Sequence, residues 1–386
     1  GVRIEPAALR ELAGKMEAEI ERLQTAIFEQ AGHPFNVNSP QQLGKVLFEE
    51  MKLPAPMRYG KGRTISTAAD VLEELAADHA VARLVLDYRQ VAKLKNTYVD
   101  TLPGLIRPSS GRLHTTFNGV GSATGRLSSS NPNLQNIPIR TELGREIRAA
   151  FVPRPGWKLL VADYSQIELR LLAHMSRDAV LLDAFRKGED IHTRTASEVF
   201  GVMPLMITPE LRRRAKAVNF GIVYGLSAFG LAAQLGIPRA EAEQYIRSYF
   251  ERYAGVRKFI DGAIAEVRES GVAHTMFGRE RPIPDMHARN AAARGFAERT
   301  AVNTPLQGTA ADVIKLAMIR IDERLRERSL STRMLLQVHD ELVFEAPPQE
   351  GAEAGVMVKH EMESVHQFEV PLVVDIGIGD NWRDAK

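Results

Sequence analysis

The sequence predicts an α+β fold, on three observations. Up to about residue 100 the apolar side chains are spaced as in helices; from about residue 111 short strand-like runs alternate with polar loops; and two apolar runs far apart in the chain each end on an aspartate. In the first stretch, Leu9, Leu12, Met16, Ile20, Leu23 and Ile27 recur every three or four residues. That spacing is an amphipathic helix of about five turns, which Gly32-His33-Pro34 should end. Ser39-Pro40-Gln41-Gln42 offers an N-cap serine, a proline at the first helical position and a glutamine at the third, the start of a second helix with Leu43, Val46 and Leu47 inward. Arg58-Tyr59-Gly60-Lys61-Gly62-Arg63 reads as a flexible basic tip, after which Ser66 or Thr67 should cap a helix through Leu72 and Leu75.

The two aspartates point to chemistry. Leu159-Leu160-Val161-Ala162 and Met334-Leu335-Leu336 would each anchor a strand in a core and project Asp163 and Asp340 from a strand end or turn. Two such carboxylates can hold two divalent cations about 3.5–4 Å apart, which clamps the attacking and leaving oxygens of a phosphoryl transfer. A single Asp at a strand end is commonly a turn or helix cap, so the intervening segment matters. In RRRAKAVNFGIVYG (212–225), Arg212, Lys216, Phe220 and Tyr224 recur every four residues. Each step drifts by about 40° on a helix, so the four form one slowly winding stripe. A forked guanidinium, an ammonium able to donate a proton and two ring faces suit a nucleoside triphosphate laid lengthwise. Without the two cations, Phe220 and Tyr224 would read as core.

Composition narrows the classes. A chain of 386 residues exceeds one core, so two or three subdomains are expected. Fifty Lys and Arg against 48 Asp and Glu leave a net charge of +2, so a nucleic-acid partner must be held by a local basic face. The absence of cysteine excludes disulfides and thiolate metal sites, leaving carboxylate and imidazole ligands, which suit Mg²⁺ or Mn²⁺. No run of 18 apolar residues and no leader pattern occurs, so no membrane partner is expected. Gly1 stands where an initiator Met would, so a fragment is expected.

Six motifs occur in order: HTTFNGVGSATGRLSSSNPNLQNIPIR (114–140), DYSQIELR (163–170), DIHTRTASEVFGV (190–202), RRRAKAVNFGIVYG (212–225), NTPLQGTAADVIK (303–315) and QVHDELVFEAP (337–347). Through them nearly the whole chain resembles the polymerase region of a bacterial DNA polymerase I, a family A DNA polymerase. The resemblance implies a right-hand α+β architecture: a thumb at 1–105, a palm whose antiparallel sheet is built from 106–185 and 321–386, and fingers at 186–320. It implies primer extension with dNTPs on a primer-template DNA duplex, two Mg²⁺ ions with Mn²⁺ as substitute, no exonuclease, a monomer, and a cytoplasmic, nucleoid-associated location in a bacterium.

Carried over residue by residue, it makes Asp163, Asp340 and the backbone carbonyl of Tyr164 the metal ligands and Lys216 the proton donor to pyrophosphate. Glu341 assists, ranked lower because consecutive strand residues point to opposite faces. Arg212, Lys216, Phe220, Tyr224, His192, Gln166 and Glu168 would face the dNTP, with Glu168 crowding the sugar's 2′ carbon and Tyr224 as its buried partner. Phe220, lacking a hydroxyl, implies discrimination against dideoxynucleotides. Gly221 and Gly225, read as lying in the same helix, would let sugar and template approach. Arg126, Gln307 and His339 would read the minor-groove edge of the new pair, where every base pair shows an acceptor. Arg126 follows the small residues Ala123-Thr124-Gly125, which let a backbone come close to a partner. Gln135, Asn136, Arg140, Gln337, Arg299 and Asn303 would line the DNA. The basic tip, Arg89, Lys93 and Lys95 would touch phosphates, although a solvated charged face accounts equally for any one lysine. Three alternatives stay open: an inactive primer-template clamp, a single-subunit RNA polymerase, and a reverse transcriptase activity.

Overall fold

The structure, a computed structural model, describes residues 1–54, 66–139 and 141–386. The basic tip at 58–63 and Arg140 therefore lie outside the described residues. Two compact units are present. One comprises Gly1–Thr115, Asn136–Pro155 and Gly379–Lys386; the other comprises Thr116–Gln135 and Gly156–Ile378.

In the first unit the helix Pro6–Ala31 buries Leu9, Leu12, Met16, Leu23 and Ile27, and Gly32 ends it in the left-handed conformation at φ 78°. Ser39 accepts from the Gln42 amide at 3.3 Å and starts the short helix Pro40–Gly44. The expected cap at Ser66 or Thr67 is not formed: the helix Ala69–Leu75 begins after Ala68 with no side-chain cap. Ser66 Oγ accepts from the Ala68 amide at 3.2 Å, and Arg89 donates to both the carbonyl and hydroxyl of Thr67. Arg89 is thus committed within its own unit, and Lys95 is likewise paired at 3.0 Å with both Glu17 and Asp100. Lys93 remains exposed.

Trp382 joins the C-terminus to this unit. Its side chain is fully buried, its ring lies edge-on 5.3 Å from Phe151, and its amide donates to the Phe151 carbonyl at 3.0 Å. The Arg148 guanidinium stacks 3.9 Å above the indole.

The second unit is built on a four-stranded sheet in the order Arg333–Val338, Glu341–Ala346, Lys158–Tyr164, Val374–Gly379. The first three strands run antiparallel, with Glu341 opposite Asp163 and Phe344 opposite Leu160. Leu159 to Ala162 are fully buried, as an apolar run in a covered strand should be. Over the sheet lies the helix Gly351–Glu363, and against that helix packs the 37-residue helix Ala291–Glu327, which carries Pro305 within it and whose N-terminus Asn290 caps by accepting from Ala292 and Ala293. The helices Ile191–Phe200, Pro209–Val223, Ala228–Leu235 and Arg239–Arg252 pack together and share the same core through Val218, Ile222, Leu231 and Tyr249.

Trp382→Ala removes the largest buried side chain of the first unit and should cost about 3–5 kcal/mol. Urea unfolding measures this; a loss under about 1 kcal/mol would mean that the C-terminal segment does not hold the unit together.

Candidate functional site

Asp163 is the penultimate residue of the strand Lys158–Tyr164, and Asp340 sits in the two-residue hairpin joining Arg333–Val338 to Glu341–Ala346. The Tyr164 amide donates to the Asp340 carbonyl at 3.1 Å, so backbone alone fixes the two aspartates side by side. Tyr164 buries its ring, donates its hydroxyl to the Met362 carbonyl at 2.7 Å, and has its phenol pKa pushed upward by that burial. The reason for ranking Glu341 below Asp340 does not apply, because Asp340 lies in a turn and not in the strand. Glu341 pairs with Asp163 across the ladder, and directly opposed residues share a face. Even so, among the described residues no three acidic or imidazole side chains converge.

The stripe helix is Pro209–Val223, started by Thr208 accepting from the Leu211 amide at 3.2 Å. Tyr224 is its C-cap, and Gly225 lies beyond it at φ 67°, so only Gly221 is helical. A Cβ on Gly225 would meet Arg299 Cγ at 2.7 Å, so the glycine admits a side chain of the long helix. Phe220 and Tyr224 stack with centroids 6.2 Å apart and planes at 17°.

At the other end of the stripe, Arg212 grips Asp190 through Nε at 2.6 Å and Nη2 at 3.1 Å. Asp190 also caps the helix Ile191–Phe200 by accepting from the His192 and Thr193 amides. Burial works to raise the Asp190 pKa, but the hydrogen bonds from Arg212 and Thr193 and the Arg212 charge bring it to about 2. His192 is 2 % exposed, tilted against Phe220 at 5.7 Å, with Asn219 donating to its Nδ1 at 3.1 Å. With Nδ1 accepting, the neutral ring carries its proton on Nε2. Burial lowers its pKa to about 4, helped by Lys216 and Arg212 and opposed by Asp190.

Glu168, in the first turn of the helix Ile167–Ser176, is 5 % exposed and held from two sides. The Tyr224 hydroxyl donates to Oε2 at 2.6 Å, the partner expected from the sequence, and Arg126 donates to Oε1 at 2.6 Å. Burial first, and then the adjacent carboxylate, raise the Tyr224 pKa. Sequence reasoning assigned Arg126 to a base edge and missed this ion pair; the signal was that a buried carboxylate needs a cation as well as a hydroxyl. The closely approaching backbone at Gly125 also has an internal partner. A Cβ there would meet Arg279 Nε at 2.4 Å, and Arg279 is in turn paired with Asp312 at 2.6 Å.

Three of the DNA-facing candidates form one network. Gln135 Nε2 donates to the carbonyl and side-chain oxygen of Gln337, and Gln337 donates to the carbonyl of His339, which is held at φ 55°. Arg299, Asn303 and Gln307 lie at i, i+4 and i+8 on the long helix and so share one face. Gln166, at φ 55°, and Asn303 each bury a side-chain oxygen without a hydrogen-bond partner among the described residues. Asn136 is exposed in a turn and belongs to the first unit.

The family profile of DNA polymerase family A matches residues 6–384. The chain is 52% identical over 386 residues to the thermostable DNA polymerase I of Thermus thermophilus and 48% identical over 387 residues to DNA polymerase I of Geobacillus stearothermophilus. Each alignment takes in 100% of this chain and, respectively, 46% and 44% of the relative, so the chain spans about half the length of the curated relatives it matches. Among solved structures it is similar to the POL domain of Pol1 from M. smegmatis in complex with DNA primer-template and dNTP. The TM-score there is 0.93 at 44% identity, covering 100% of this chain and 68% of that one.

With a folded pKa of about 4, His192 makes the folded state bind fewer protons than the unfolded chain between about pH 4 and the ordinary histidine value. Its contribution is complete above about pH 6.5 and is lost as pH falls through that window, at up to about 1.4 kcal/mol per pH unit. Urea unfolding from pH 7 to 4.5 should show a shallower fall for His192→Gln than for wild type; equal slopes would mean that the imidazole is not held neutral.

Proposed function

The chain belongs to DNA polymerase family A, and from that premise we propose that it extends a primer 3′-hydroxyl with dNTPs chosen by a template strand, releasing pyrophosphate. The observation that carries this reading is the hydrogen bond from Tyr224 to Glu168. It ties the ring end of the stripe helix to the segment running directly on from Asp163, so triphosphate grip and acidic pair address one place. We assign the thumb to 1–105, the palm to 106–185 and 321–386, and the fingers to 186–320, with DNA primer-template and dNTP as ligands, as in the M. smegmatis protein. A cytoplasmic monomer acting in DNA replication and repair completes the proposal; among the described residues no helix is long and apolar enough to cross a membrane.

The donors present fit a hard divalent cation. Two half-buried carboxylates are fixed side by side with a backbone carbonyl at Tyr164, and Mg²⁺ at phosphoryl-transfer sites takes one or two carboxylates, completing its shell from phosphate and water. Asp163, Asp340 and Tyr164 would hold Mg²⁺, or Mn²⁺ in its place, and the chemistry such ions supply is activation of the attacking oxygen and neutralisation of the leaving one.

The remaining roles belong to the chain's own side chains. Arg212 and Lys216 grip the triphosphate, His192 donates from Nε2 to a phosphate oxygen, and Lys216 protonates the departing pyrophosphate. Phe220 packs on the sugar, and Glu168, held by Tyr224 and Arg126, fills the space that a 2′-hydroxyl would need. Gln307, His339 and Arg126 present donors to the minor-groove acceptors of the new pair, with Gln135 and Gln337 positioning the hairpin.

Primer extension on a recessed template with Mg²⁺ and four dNTPs should proceed in wild type and fall about a thousandfold or more in Asp163→Ala. No extension by either protein, with primer-template binding intact, would favour a clamp. In single-nucleotide kinetics Glu168→Ala should raise ribonucleotide incorporation, and Tyr224→Phe should raise it less by loosening the same carboxylate. Unchanged sugar discrimination in both would remove the gate assignment.

A further inference from the structure

We propose that Phe296 is a stacking platform for an unpaired template base just ahead of the pair being formed, an inference that rests on the polymerase reading above. Phe296 lies in the second turn of the helix Ala291–Glu327 and is 61 % exposed. Relative to it, Arg299, Asn303 and Gln307 are displaced by about 300°, 340° and 20° around the helix, so all four lie within an arc of about 80°. The ring therefore extends the face of the DNA-lining candidates by one turn.

Its neighbourhood suits a nucleobase. The Arg299 guanidinium lies 6.0 Å from the Phe296 centroid. Arg289, Arg294 and Arg299 surround the ring in sequence, and the one nearby acid, Glu298, is paired with Arg268 at 2.6 Å. Aromatic rings interleaved with cations are the common device for single-stranded nucleic acid, because every base has a π-face and every step a phosphate. A protein partner is a poorer match. Protein docking surfaces are contiguous apolar patches, whereas the other large exposed apolar residue on this helix is Ile319, about 35 Å away along the axis.

The position follows from Gly225. That glycine packs against the stem of Arg299, which brings Arg299 to the level of Tyr224, the ring end of the triphosphate stripe. Gln307 lies on one side of that level, which in the proposed complex is the side of the formed pair. Phe296 lies about 4.5 Å beyond it on the other side, which in the proposed complex is the side of the unpaired template.

Equilibrium binding of the whole chain to a recessed primer-template with an unpaired 5′ template extension, and to a blunt duplex of the same paired sequence, tests this. Phe296→Ala should weaken binding to the recessed DNA by about 5- to 150-fold, leave blunt-duplex affinity and thermal unfolding unchanged, and be rescued by Phe296→Trp. In wild type, one abasic residue among the first unpaired template positions should reproduce that loss and should add nothing in Phe296→Ala. If Phe296→Ala binds both DNAs as wild type does, or loses equally on both, the stacking role is wrong while the polymerase reading stands. If wild type binds neither DNA, the polymerase reading falls and this inference with it.

Discussion

A carboxylate withdrawn from water must be answered by charge and by donors, and Glu168 is answered by one of each. Arg126 comes from the loop of the first motif and Tyr224 from the end of the stripe helix, while Glu168 itself sits on the helix that follows Asp163. Three segments widely separated in sequence are thereby fixed to one oxygen pair. Removing either donor would leave a buried charge half satisfied, so the interaction positions loop, stripe and acidic strand together. The proposed selection of sugar uses the same group, and the rigidity of that selection comes from the two partners that keep the carboxylate from turning aside.

The acidic pair is built differently, from backbone. Its spacing depends on strand register, the Tyr164 to Asp340 amide bond and a two-residue hairpin that accepts a non-glycine residue, His339, at positive φ. Such a conformation costs about 1 kcal/mol or more and persists only where its surroundings impose it. Here Gln337 holds the His339 carbonyl and Gln135 holds Gln337. Two of the polar residues expected at DNA thus first secure the turn that presents Asp340, which explains why Gln135 and Gln337 are not simply solvated.

What the sequence made legible was what depends on period and local order. The first helix, its glycine end, the serine cap at Ser39, the buried strand before Asp163 and the four-residue stripe are all set by neighbours in the chain. What it hid depends on contacts across sequence distance. Ser66 and Thr67 look like caps until Arg89 is known to need Thr67, and Gly125 and Gly225 look like openings for a ligand until Arg279 and Arg299 are seen beside them. The alternation rule that sets Glu341 below Asp340 fails because Asp340 lies in a turn. Nothing local marks Asp190 as a partner of Arg212, which reaches it from 22 residues away.

That last pair shows how the folded chain accommodates the charge gathered at this site. Arg212 and Arg126, two cations given to substrate and DNA in the proposed reaction, are each held by a carboxylate of the chain. Asp190 does not depend on Arg212 for its place, because it also accepts two amides at the start of a helix, whose dipole favours a negative charge there. In the proposed reaction a triphosphate, with more charge and more acceptor oxygens than one carboxylate, would draw the guanidinium away and leave Asp190 still capped. Glu168 has no such second support beyond Tyr224, so Arg126 must remain close to it while it meets a base. The two ion pairs differ in geometry and, in the proposed reaction, in consequence: the two-point Arg212–Asp190 pair would exchange its cation, and the single-point Arg126–Glu168 pair would keep it.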